Sequence, residues 1–318
     1  MLHLPARDIP IPTSVSSQAQ AIMAVTRPPM PPDPPVDDID AWRRQAAMIN
    51  QAITPAMQAR AAQVDARVND ILVDGVRVYD IVPAGVEEDS PRIYLDIHGG
   101  AYITCYGEAC RAQATVVAGD VGQHVWSVDY RTPPDHPFPA PLDDCLAVYR
   151  ALVGQRGAQN IVIGGTSAGA NLTAALVLRA RDEGLPLPAA AVLYTPHLDM
   201  TNASDSLQTN RGLDAALSSS DMTSIRDVYA QGHDYTHPYM SPLFGDLAKG
   251  FPPTFLSTGT RDMFLSDTVR FHAALRAADI PAELHVTEAA SHGNFHGAPE
   301  EAHINREVRK FIASVWND

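Results

Sequence analysis

Apolar residues follow two spacings along the chain, one typical of strands and one typical of helices. Segments with the two spacings alternate, and this alternation predicts the fold class. Short runs that are apolar throughout or at every second position are typical of strands, and longer stretches with apolar residues three and four apart are typical of helices. Strands are expected at residues 76–82, 92–97, 125–129, 160–164, 189–194, 254–257 and 283–286. Helices are expected at residues 38–62, 108–120, 140–155, 171–178, 219–231, 266–279 and 299–316. The sequence therefore predicts an α/β fold with a mostly parallel central sheet, helices on both faces and the first strand at an edge.

Two regions depart from this alternation. Residues 1–40 are irregular and rich in proline, and this composition favours an extended arm. The alternative interpretation is a PxxP ligand that binds a partner domain. Residues 197–240 hold one predicted helix, capped by Ser220, and an insertion of this length between two strands is usually functional or disordered. We therefore expect a cap over an active site. The predicted divisions are 1–55 (N-terminal arm and cap helices), 56–196 (first part of the catalytic domain), 197–240 (cap insertion) and 241–318 (second part of the catalytic domain).

Composition narrows the class of partner. The chain has 318 residues, a hydrophobic fraction of 45% and a formal net charge of −14. This acidity disfavours nucleic acid and anionic membranes as partners. No apolar run of about 18 residues and no signal-peptide pattern appears, so no membrane span is predicted and a cytoplasmic location is expected. Three cysteines, Cys105, Cys110 and Cys145, provide no disulfide framework and fit a reducing compartment.

The pentapeptide Gly165-Thr166-Ser167-Ala168-Gly169 carries the strongest chemical signal. It follows the predicted strand 160–164 and opens the next predicted helix, and a strand, a G-x-S-x-G turn and a helix together form a nucleophile elbow. A sharp turn of this kind strains its serine, so the neighbouring residues must be small. The helix that follows points its free N–H groups at the place where negative charge develops. Ser167 is therefore the predicted nucleophile.

A serine nucleophile needs a general base and an acid behind that base. Asp262 and His292 each stand shortly after a predicted strand, and the order Ser167, Asp262, His292 is that of α/β-hydrolases. Asp267 is the rival acid, but it lies in the first turn of the next helix, where the helix dipole favours an acidic residue. His296 is the rival base. Its H-x3-H spacing to His292 resembles a metal motif, but a glycine separates the two and no third ligand is apparent, so no metal is predicted.

Donors for a developing oxyanion are expected from a second loop. His98-Gly99-Gly100-Ala101 follows the strand 92–97, and its glycines let the main chain approach a substrate oxygen closely. The predicted oxyanion hole consists of the N–H groups of Gly99, Gly100 and Ala168, with a glycine-rich tight turn as the alternative interpretation of the loop. Tyr102 and Tyr106 come shortly afterwards and are weaker candidates for the lining of the substrate pocket.

These segments resemble the bacterial hormone-sensitive-lipase family of esterases. The resemblance is carried by His98–Ala101, Asp129–Ala140, the Gly-Thr-Ser-Ala-Gly elbow, the Gly-Thr-Arg-Asp segment and Tyr239–Leu243. It implies an α/β-hydrolase fold with a helical cap, no cofactor, activity on short acyl esters and, in many members, a dimer joined through an edge strand. The chain departs from the family pattern without losing a predicted catalytic group, at Ala101, Thr166, Ala170 and Asn294.

The sequence therefore predicts a carboxylic-ester hydrolase that acts on a small-molecule acyl ester of short to medium chain length and forms a homodimer. Its activity should fall as the pH drops through the pKa of His292, about 6.5 for an unperturbed imidazole. Another acyl bond, in an amide, a carbamate or a lactone, remains an alternative because the same triad serves all of them. A ligand-binding receptor on this fold is disfavoured because His292 is present. Arg131, Asp135 and His136 are expected to form a buried polar network that fixes their loop.

Overall fold

An eight-stranded sheet is the centre of the structure, a computed structural model that describes residues 8–25, 32–217 and 222–316. The strands are β1 (Ala66–Val73), β2 (Val76–Pro83), β3 (Ile93–Ile97), β4 (Val125–Asp129), β5 (Ile161–Thr166), β6 (Ala190–Tyr194), β7 (Thr254–Gly259) and β8 (Ala282–Thr287). The helices are α1 (Ser17–Ala24), α2 (Ile39–Ala61), α3 (Glu108–Val121), α4 (Ala140–Arg156), α5 (Ala168–Asp182), α6 (Ser206–Thr209), α7 (Thr223–Ala230), α8 (Leu265–Ala277) and α9 (Pro299–Trp316).

The strands lie in the order β1-β2-β4-β3-β5-β6-β7-β8. All neighbours from β4 to β8 are parallel, whereas β1 pairs with β2, and β2 with β4, in the antiparallel sense. Helices cover both faces of the sheet. The predicted α/β fold with a mostly parallel sheet is therefore confirmed. Because parallel strands end at the same edge, the loops after β3, β5, β7 and β8 meet there.

Two layers of buried apolar side chains pack against the two faces of the sheet. On β5, Ile163 belongs to the layer that includes α4, α5 and α8, and Val162 belongs to the layer that includes α3 and α9. Both side chains are fully buried, as expected of a central strand covered on both faces. This packed core fixes the strand ends, on which the loops that carry chemistry are built.

The sequence patterns do not predict β1 or α1. β1 alternates between half-buried and exposed positions and carries Arg67 and Asn69, so its hydrophobic signal is weak. It pairs with β2 through a turn at Asp74 and Gly75, whose φ values of 49° and 84° suit a two-residue hairpin. The strand predicted at 76–82 therefore lies between β1 and β4, and the expectation that it forms an edge of the sheet is wrong.

Two helices from distant parts of the chain meet over the loop after β3. Trp42 of α2, Ile103 of that loop and Val228 of α7 form a buried apolar cluster. Helix α7 is shorter than the helix predicted at 219–231, whose expected N-cap, Ser220, lies outside the described residues. The division of the chain into a cap and a catalytic domain stays a prediction, and the packing of α2 near α7 supports it.

The segment that holds α1 packs against a distant part of the chain. Ala19 lies in a buried cluster with Ala290 and Phe295 of the loop between β8 and α9. The N–H group and the hydroxyl group of Ser16 both donate to Glu300, at 2.7 and 2.8 Å. The Ser16 hydroxyl oxygen also accepts a hydrogen bond from the N–H group of Ala19 and so caps α1. Part of the arm that was expected to be irregular is thus helical, and it covers the loop after β8.

The loop after β4 is not held by a buried polar network. Arg131 forms a two-pronged ion pair with Asp144, with N–O distances of 2.9 and 2.7 Å. Asp135 pairs with Arg43 of α2 instead, and both of these side chains are about half exposed. His136 is exposed as well. The expected network is therefore wrong, because this loop lies at the surface and its charged side chains find separate partners.

The three cysteines are buried and free. Burial raises the pKa of the Cys105 thiol to about 11, so this thiol is unreactive at neutral pH. Among the described residues, no helix is long and apolar enough to cross a membrane.

Candidate active site

Ser167 occupies the turn between β5 and α5. Its backbone has φ = 59° and ψ = −118°, a conformation that residues with a side chain rarely adopt. The turn is tight: a Cβ atom at Gly165 would lie 2.5 Å from the carbonyl oxygen of Ile97, and one at Gly169 would overlap the same oxygen. Glycine is therefore required on both sides of the serine, in agreement with the elbow motif.

Three side chains from distant parts of the sequence meet at the carboxyl ends of the strands. The Nε2 atom of His292 lies 2.8 Å from Ser167 Oγ, and its Nδ1 atom lies 3.2 Å from Asp262 Oδ1. Asp262 is fully buried, and the His292 side chain is 10% exposed. Because a carboxylate only accepts hydrogen bonds, we assign the proton to Nδ1, which leaves Nε2 to accept the hydrogen bond of the serine hydroxyl. The structure thus brings together the nucleophile, the acid and the base that were predicted.

The carboxylate of Asp262 is held by its own loop. Its Oδ2 atom accepts a hydrogen bond from the hydroxyl group of Thr258 at 2.7 Å, and its Oδ1 atom accepts one from the N–H group of Phe264 at 2.9 Å. The Phe264 ring also packs edge-on against His292, with 5.0 Å between ring centres. These contacts orient the carboxylate so that Oδ1 faces the imidazole.

The two rival residues lie in other environments. Asp267 accepts hydrogen bonds from two N–H groups of the loop after β6 and from the Ser204 hydroxyl, and burial raises its pKa to about 7. His296 is 58% exposed and pairs with Glu301 at 2.7 Å. Within the described chain, neither rival contacts the elbow serine.

The surroundings of His292 favour its protonated form. Burial lowers the pKa of the imidazole, but the hydrogen bond to Asp262 and the negative charges of Asp262 and Asp214 outweigh burial, so the pKa is raised above its ordinary value. An imidazolium that forms during proton transfer is therefore stabilised. The nearby His197 behaves in the opposite way, because burial lowers its pKa to about 4 and keeps it neutral.

The loop after β3 lies directly beside the elbow. A Cβ atom at Gly99 would lie 2.8 Å from the carbonyl oxygen of Thr166, so only glycine permits this approach. Gly100 has φ = 111°, and Ala101 follows with φ = 53°. The loop is therefore a strained turn that presses its backbone against the serine turn.

The three N–H groups predicted to form an oxyanion hole have no acceptor within the described part of the chain. Those of Gly99 and Gly100 belong to the loop after β3. That of Ala168 is the first of α5, where N–H groups have no acceptor inside the helix. Free N–H groups beside a nucleophile are what a developing oxyanion requires, and this role stays a prediction.

The two candidate pocket residues lie in different surroundings. Tyr102 is fully buried and its ring stacks on that of Tyr229 from α7, with 4.1 Å between ring centres. Its hydroxyl group is buried without a hydrogen-bond partner among the described residues. Tyr106 lines a surface groove between α2 and the loop after β4, and its carbonyl oxygen accepts a hydrogen bond from Asn50. A role of either residue in the substrate pocket stays a prediction.

One group of side chains has the composition of a metal site. Ligand atoms of His98, Cys110 and Asp129 lie within 4.8 Å of one another. His98 Nδ1 lies 2.7 Å from the carbonyl oxygen of Gly99 and donates to it, so Nε2 is left as a buried acceptor without a partner among the described residues. Asp129 already accepts a hydrogen bond from the N–H group of Gly107. The H-x3-H pair considered in the sequence is not such a site, because its two imidazoles have different partners.

Two polar side chains near the site are not marked by any sequence motif. Asp214 accepts a hydrogen bond from the N–H group of His292 at 3.1 Å, and Asn210 donates one to the carbonyl oxygen of Asp262 at 2.8 Å. Local sequence marks Asp214 only as a turn residue, since such residues often bind the backbone shortly after them. Nothing local indicates a partner 78 residues away.

Comparisons with known proteins agree with this fold. Residues 94–296 match a family model described as the alpha/beta hydrolase fold. An esterase from Acinetobacter venetianus is 34% identical over 67% of this chain and 70% of its own length. The crystal structure of an esterase designated E25 has a TM-score of 0.91 and 36% identity, covering 99% of this chain and 98% of that one. An esterase from the bacterial hormone-sensitive lipase family has a TM-score of 0.78 and 26% identity, covering 95% of this chain and 99% of that one.

The fold and these similarities define a carboxylic-ester hydrolase. The chain belongs to the α/β-hydrolase family, within the bacterial hormone-sensitive-lipase group of esterases. The predicted family and the predicted enzyme class are both confirmed, and the substrates are small-molecule esters.

Proposed function

We propose that this enzyme hydrolyses short- to medium-chain acyl esters through a triad of Ser167, His292 and Asp262 and an acyl-enzyme intermediate. The observation that carries the proposal is the 2.8 Å contact between His292 Nε2 and Ser167 Oγ, with Asp262 behind the imidazole. A serine hydroxyl is a weak nucleophile at neutral pH unless an adjacent base removes its proton. The raised pKa of His292 supports this role because it strengthens the base.

In the first half-reaction, Ser167 Oγ attacks the carbonyl carbon of the ester while His292 Nε2 takes the hydroxyl proton. The π electrons of the carbonyl group move to its oxygen, and the oxyanion accepts hydrogen bonds from the three free N–H groups described above. Asp262 keeps the imidazole in the required tautomer and stabilises the imidazolium. When the tetrahedral intermediate collapses, the bond to the alcohol oxygen breaks and the imidazolium protonates the leaving alkoxide.

In the second half-reaction, a water molecule attacks the acyl carbon and gives one proton to His292 Nε2. The second tetrahedral intermediate collapses, the bond from the acyl carbon to Ser167 Oγ breaks, and Oγ takes the proton back. Each cycle consumes one ester and one water and releases one alcohol and one carboxylic acid.

Substitution of the nucleophile tests this mechanism. Ser167→Ala should abolish measurable turnover of p-nitrophenyl butyrate with an unchanged far-UV circular dichroism spectrum. An organophosphonate should label the wild type and should not label Ser167→Ala. Ser314→Ala, at an exposed serine on α9, is the control and should retain activity and labelling. An active Ser167→Ala enzyme would end the proposal. Amide, carbamate and lactone substrates in the same assay identify the preferred acyl bond.

A cavity of about 160 Å³ next to the site bears on acyl length. It is lined by Thr166, which precedes the nucleophile, and by Gly293, which follows the base. Its lining also holds apolar side chains that include Val117 and Ile304, and the charged side chains of Arg60, Asp120 and Glu301. A protein cavity of about 150 Å³ holds a molecule the size of benzene. We infer that this cavity receives the acyl chain and limits it to about six carbons.

A series of p-nitrophenyl esters from acetate to dodecanoate tests this limit. We expect kcat/KM to be highest at or below hexanoate and to fall for longer chains. Val117→Phe should shift the preference to shorter chains because the larger side chain fills the cavity. Val153→Phe, on α4 at the other face of the sheet, is the control and should leave the preference unchanged. Equal rates for butyrate and dodecanoate would contradict the assignment.

We also propose that the enzyme is a homodimer joined through β8. This strand lies at one edge of the sheet, and its Val286 is 44% exposed. An edge strand offers backbone N–H and C=O groups to a second strand, and a two-fold axis would pair β8 with its own copy. Val286→Lys should shift the molar mass measured by light scattering to that of a monomer. Leu72→Lys, at an exposed position on the opposite edge strand, should not, and a monomeric wild type would contradict the proposal.

A further inference from the structure

One segment between β6 and β7 binds the loops that follow both β7 and β8. We call residues 210–215 the clamp segment. Asn210 donates to two carbonyl oxygens of the loop after β7, including that of Asp262 at 2.8 Å. The N–H group of Ala215 donates to Ser291 Oγ, in the loop after β8, at 2.9 Å. The two loops that carry the proposed acid and base are thus tied to a single element.

Asp214 is the central residue of this clamp segment and is fully buried. Its Oδ2 atom accepts hydrogen bonds from the N–H groups of Met263 at 3.0 Å and His292 at 3.1 Å. Its Oδ1 atom accepts hydrogen bonds from the N–H groups of Ala216 at 2.8 Å and Leu217 at 3.0 Å. Four backbone donors therefore hold a buried carboxylate at the junction of the two loops.

We propose that Asp214 is a positioning residue for the pair formed by Asp262 and His292. One of its oxygens bridges the backbone of His292 and that of the residue after Asp262, and so sets the spacing at which Nδ1 and Oδ1 lie 3.2 Å apart. Its negative charge lies near an imidazole that becomes positive during turnover and stabilises that state. The inference rests on the proposed function, because it assigns the insertion a role in the geometry of the triad.

Ionisable groups surround His292 from three elements. Asp262 faces its Nδ1 atom from the loop after β7, Asp214 contacts its backbone from the clamp segment, and His197 approaches from the loop after β6. His197 is neutral because burial lowers its pKa to about 4. The two carboxylates are therefore the charges that raise the pKa of His292, and removal of either charge should lower it.

Asp214→Asn removes the charge and keeps the shape of the side chain. An amide offers one oxygen and one NH2 group, so in either orientation an NH2 group faces two backbone N–H groups. We expect kcat to fall about 10- to 100-fold with KM changed less than about twofold, as for a displaced catalytic group. The fall of kcat/KM at low pH, here called the acid limb, should move to lower pH. The reason is that a lower pKa of His292 keeps the base neutral in more acidic solution.

Asp267→Asn is the matched control. Asp267 is also fully buried and accepts hydrogen bonds from two backbone N–H groups, but these belong to the loop after β6. This variant should lose stability without moving the acid limb. Two results overturn the proposal: an Asp214→Asn enzyme with unchanged kcat and an unchanged acid limb, or an Asp267→Asn enzyme whose acid limb moves as far.

Asp214→Glu is the second variant, for the case in which Asp214→Asn does not fold. It keeps the charge but moves the oxygens, so kcat should fall while the acid limb stays in place. If the acid limb moves in this variant, the inference that the charge of Asp214 raises the pKa of His292 is overturned. If kcat is unchanged, the inference that Asp214 positions the two loops is overturned. Organophosphonate labelling of the wild type separates the two proposals: an unlabelled wild type contradicts the triad itself, whereas equal labelling rates of wild type and Asp214→Asn contradict only the role of Asp214.

Discussion

The two halves of the proposed site are held by different means. Around the nucleophile, the backbone of the elbow contacts the backbone of the loop after β3. Glycines occupy the positions where a side chain would collide with the other segment. Around the acid and the base, Asp262 and His292 stand on loops after the last two strands, and the carboxylate of Asp214 bridges these loops from an insertion. The first half depends on short-range sterics and the second on hydrogen bonds between distant segments.

This difference indicates how each half responds to change. A close backbone contact has no room to adjust, so one added methyl group displaces everything that rests on it. A loop held by several hydrogen bonds loses them one at a time, and each loss costs about 1 to 3 kcal/mol when a buried group is left without a partner. We therefore expect substitutions that add a side chain inside the elbow to act mainly on folding and those near the base to act mainly on rate.

The largest effect is expected at the acid that supports the base. Asp262→Asn removes the acceptor of the proton on His292 Nδ1, so the imidazole loses the tautomer that can accept the proton of Ser167. The rate constant kcat should fall about 10⁴-fold, as for other triads with this change. Steady-state kinetics with p-nitrophenyl butyrate measure the loss, and circular dichroism checks the fold. A kcat within tenfold of wild type would contradict the comparison of the two halves, because it would mean that the acid and the base contribute little to the rate.

The next effect is expected on stability at the elbow. Gly169→Ala places a methyl group onto the carbonyl oxygens of Ile97 and His98 and should lower the free energy of unfolding in urea by about 3 kcal/mol. Gly154→Ala is the control, because a Cβ atom there has nothing within 4 Å and the residue lies in α4. The control should gain about 0.5 to 1 kcal/mol. Equal stability of the two variants would show that the elbow is not sterically constrained.

A smaller effect is expected in the loop after β3, which carries two of the predicted oxyanion donors. Gly99→Ala brings a Cβ atom to 2.8 Å from the carbonyl oxygen of Thr166 and pushes the loop after β3 away from the serine. If one oxyanion donor is displaced, kcat should fall about 10²-fold, or about 2.7 kcal/mol, with KM nearly unchanged. A parallel rise of KM with kcat intact would instead place the loop in substrate binding.

The smallest effect concerns pH. Because the pKa of His292 is raised, protonation of the base and the loss of kcat/KM should begin at a higher pH than the value of about 6.5 for a free imidazole. Activity should therefore be full on the alkaline side and fall as the pH drops through this raised pKa. A pH-stat titration with an alkyl ester measures the limb. If the fall of kcat/KM is centred below about pH 6, the conclusion that the nearby carboxylates outweigh burial and raise the pKa of His292 is contradicted.

Sequence alone predicts the parts of this molecule that follow local rules. The strands in the core, the elbow around Ser167 and the order of the triad residues follow from periodicity and spacing. β1 escaped prediction because its apolar alternation is interrupted by polar residues, although the Asp74-Gly75 turn was a usable signal. The contacts of Asp214 could not be predicted, since its partners Met263 and His292 lie 49 and 78 residues away.

The contact of the N-terminal segment with the loop after β8 has a consequence for biosynthesis. Ser14 donates to Glu288 across 274 residues, and α1 packs on the same region. At ribosomal speeds of about 5 to 20 residues per second, the early segment waits roughly 14 to 55 s for its partner to emerge. Until residue 288 has been synthesised, the nascent chain therefore carries α1 without the loop on which it packs.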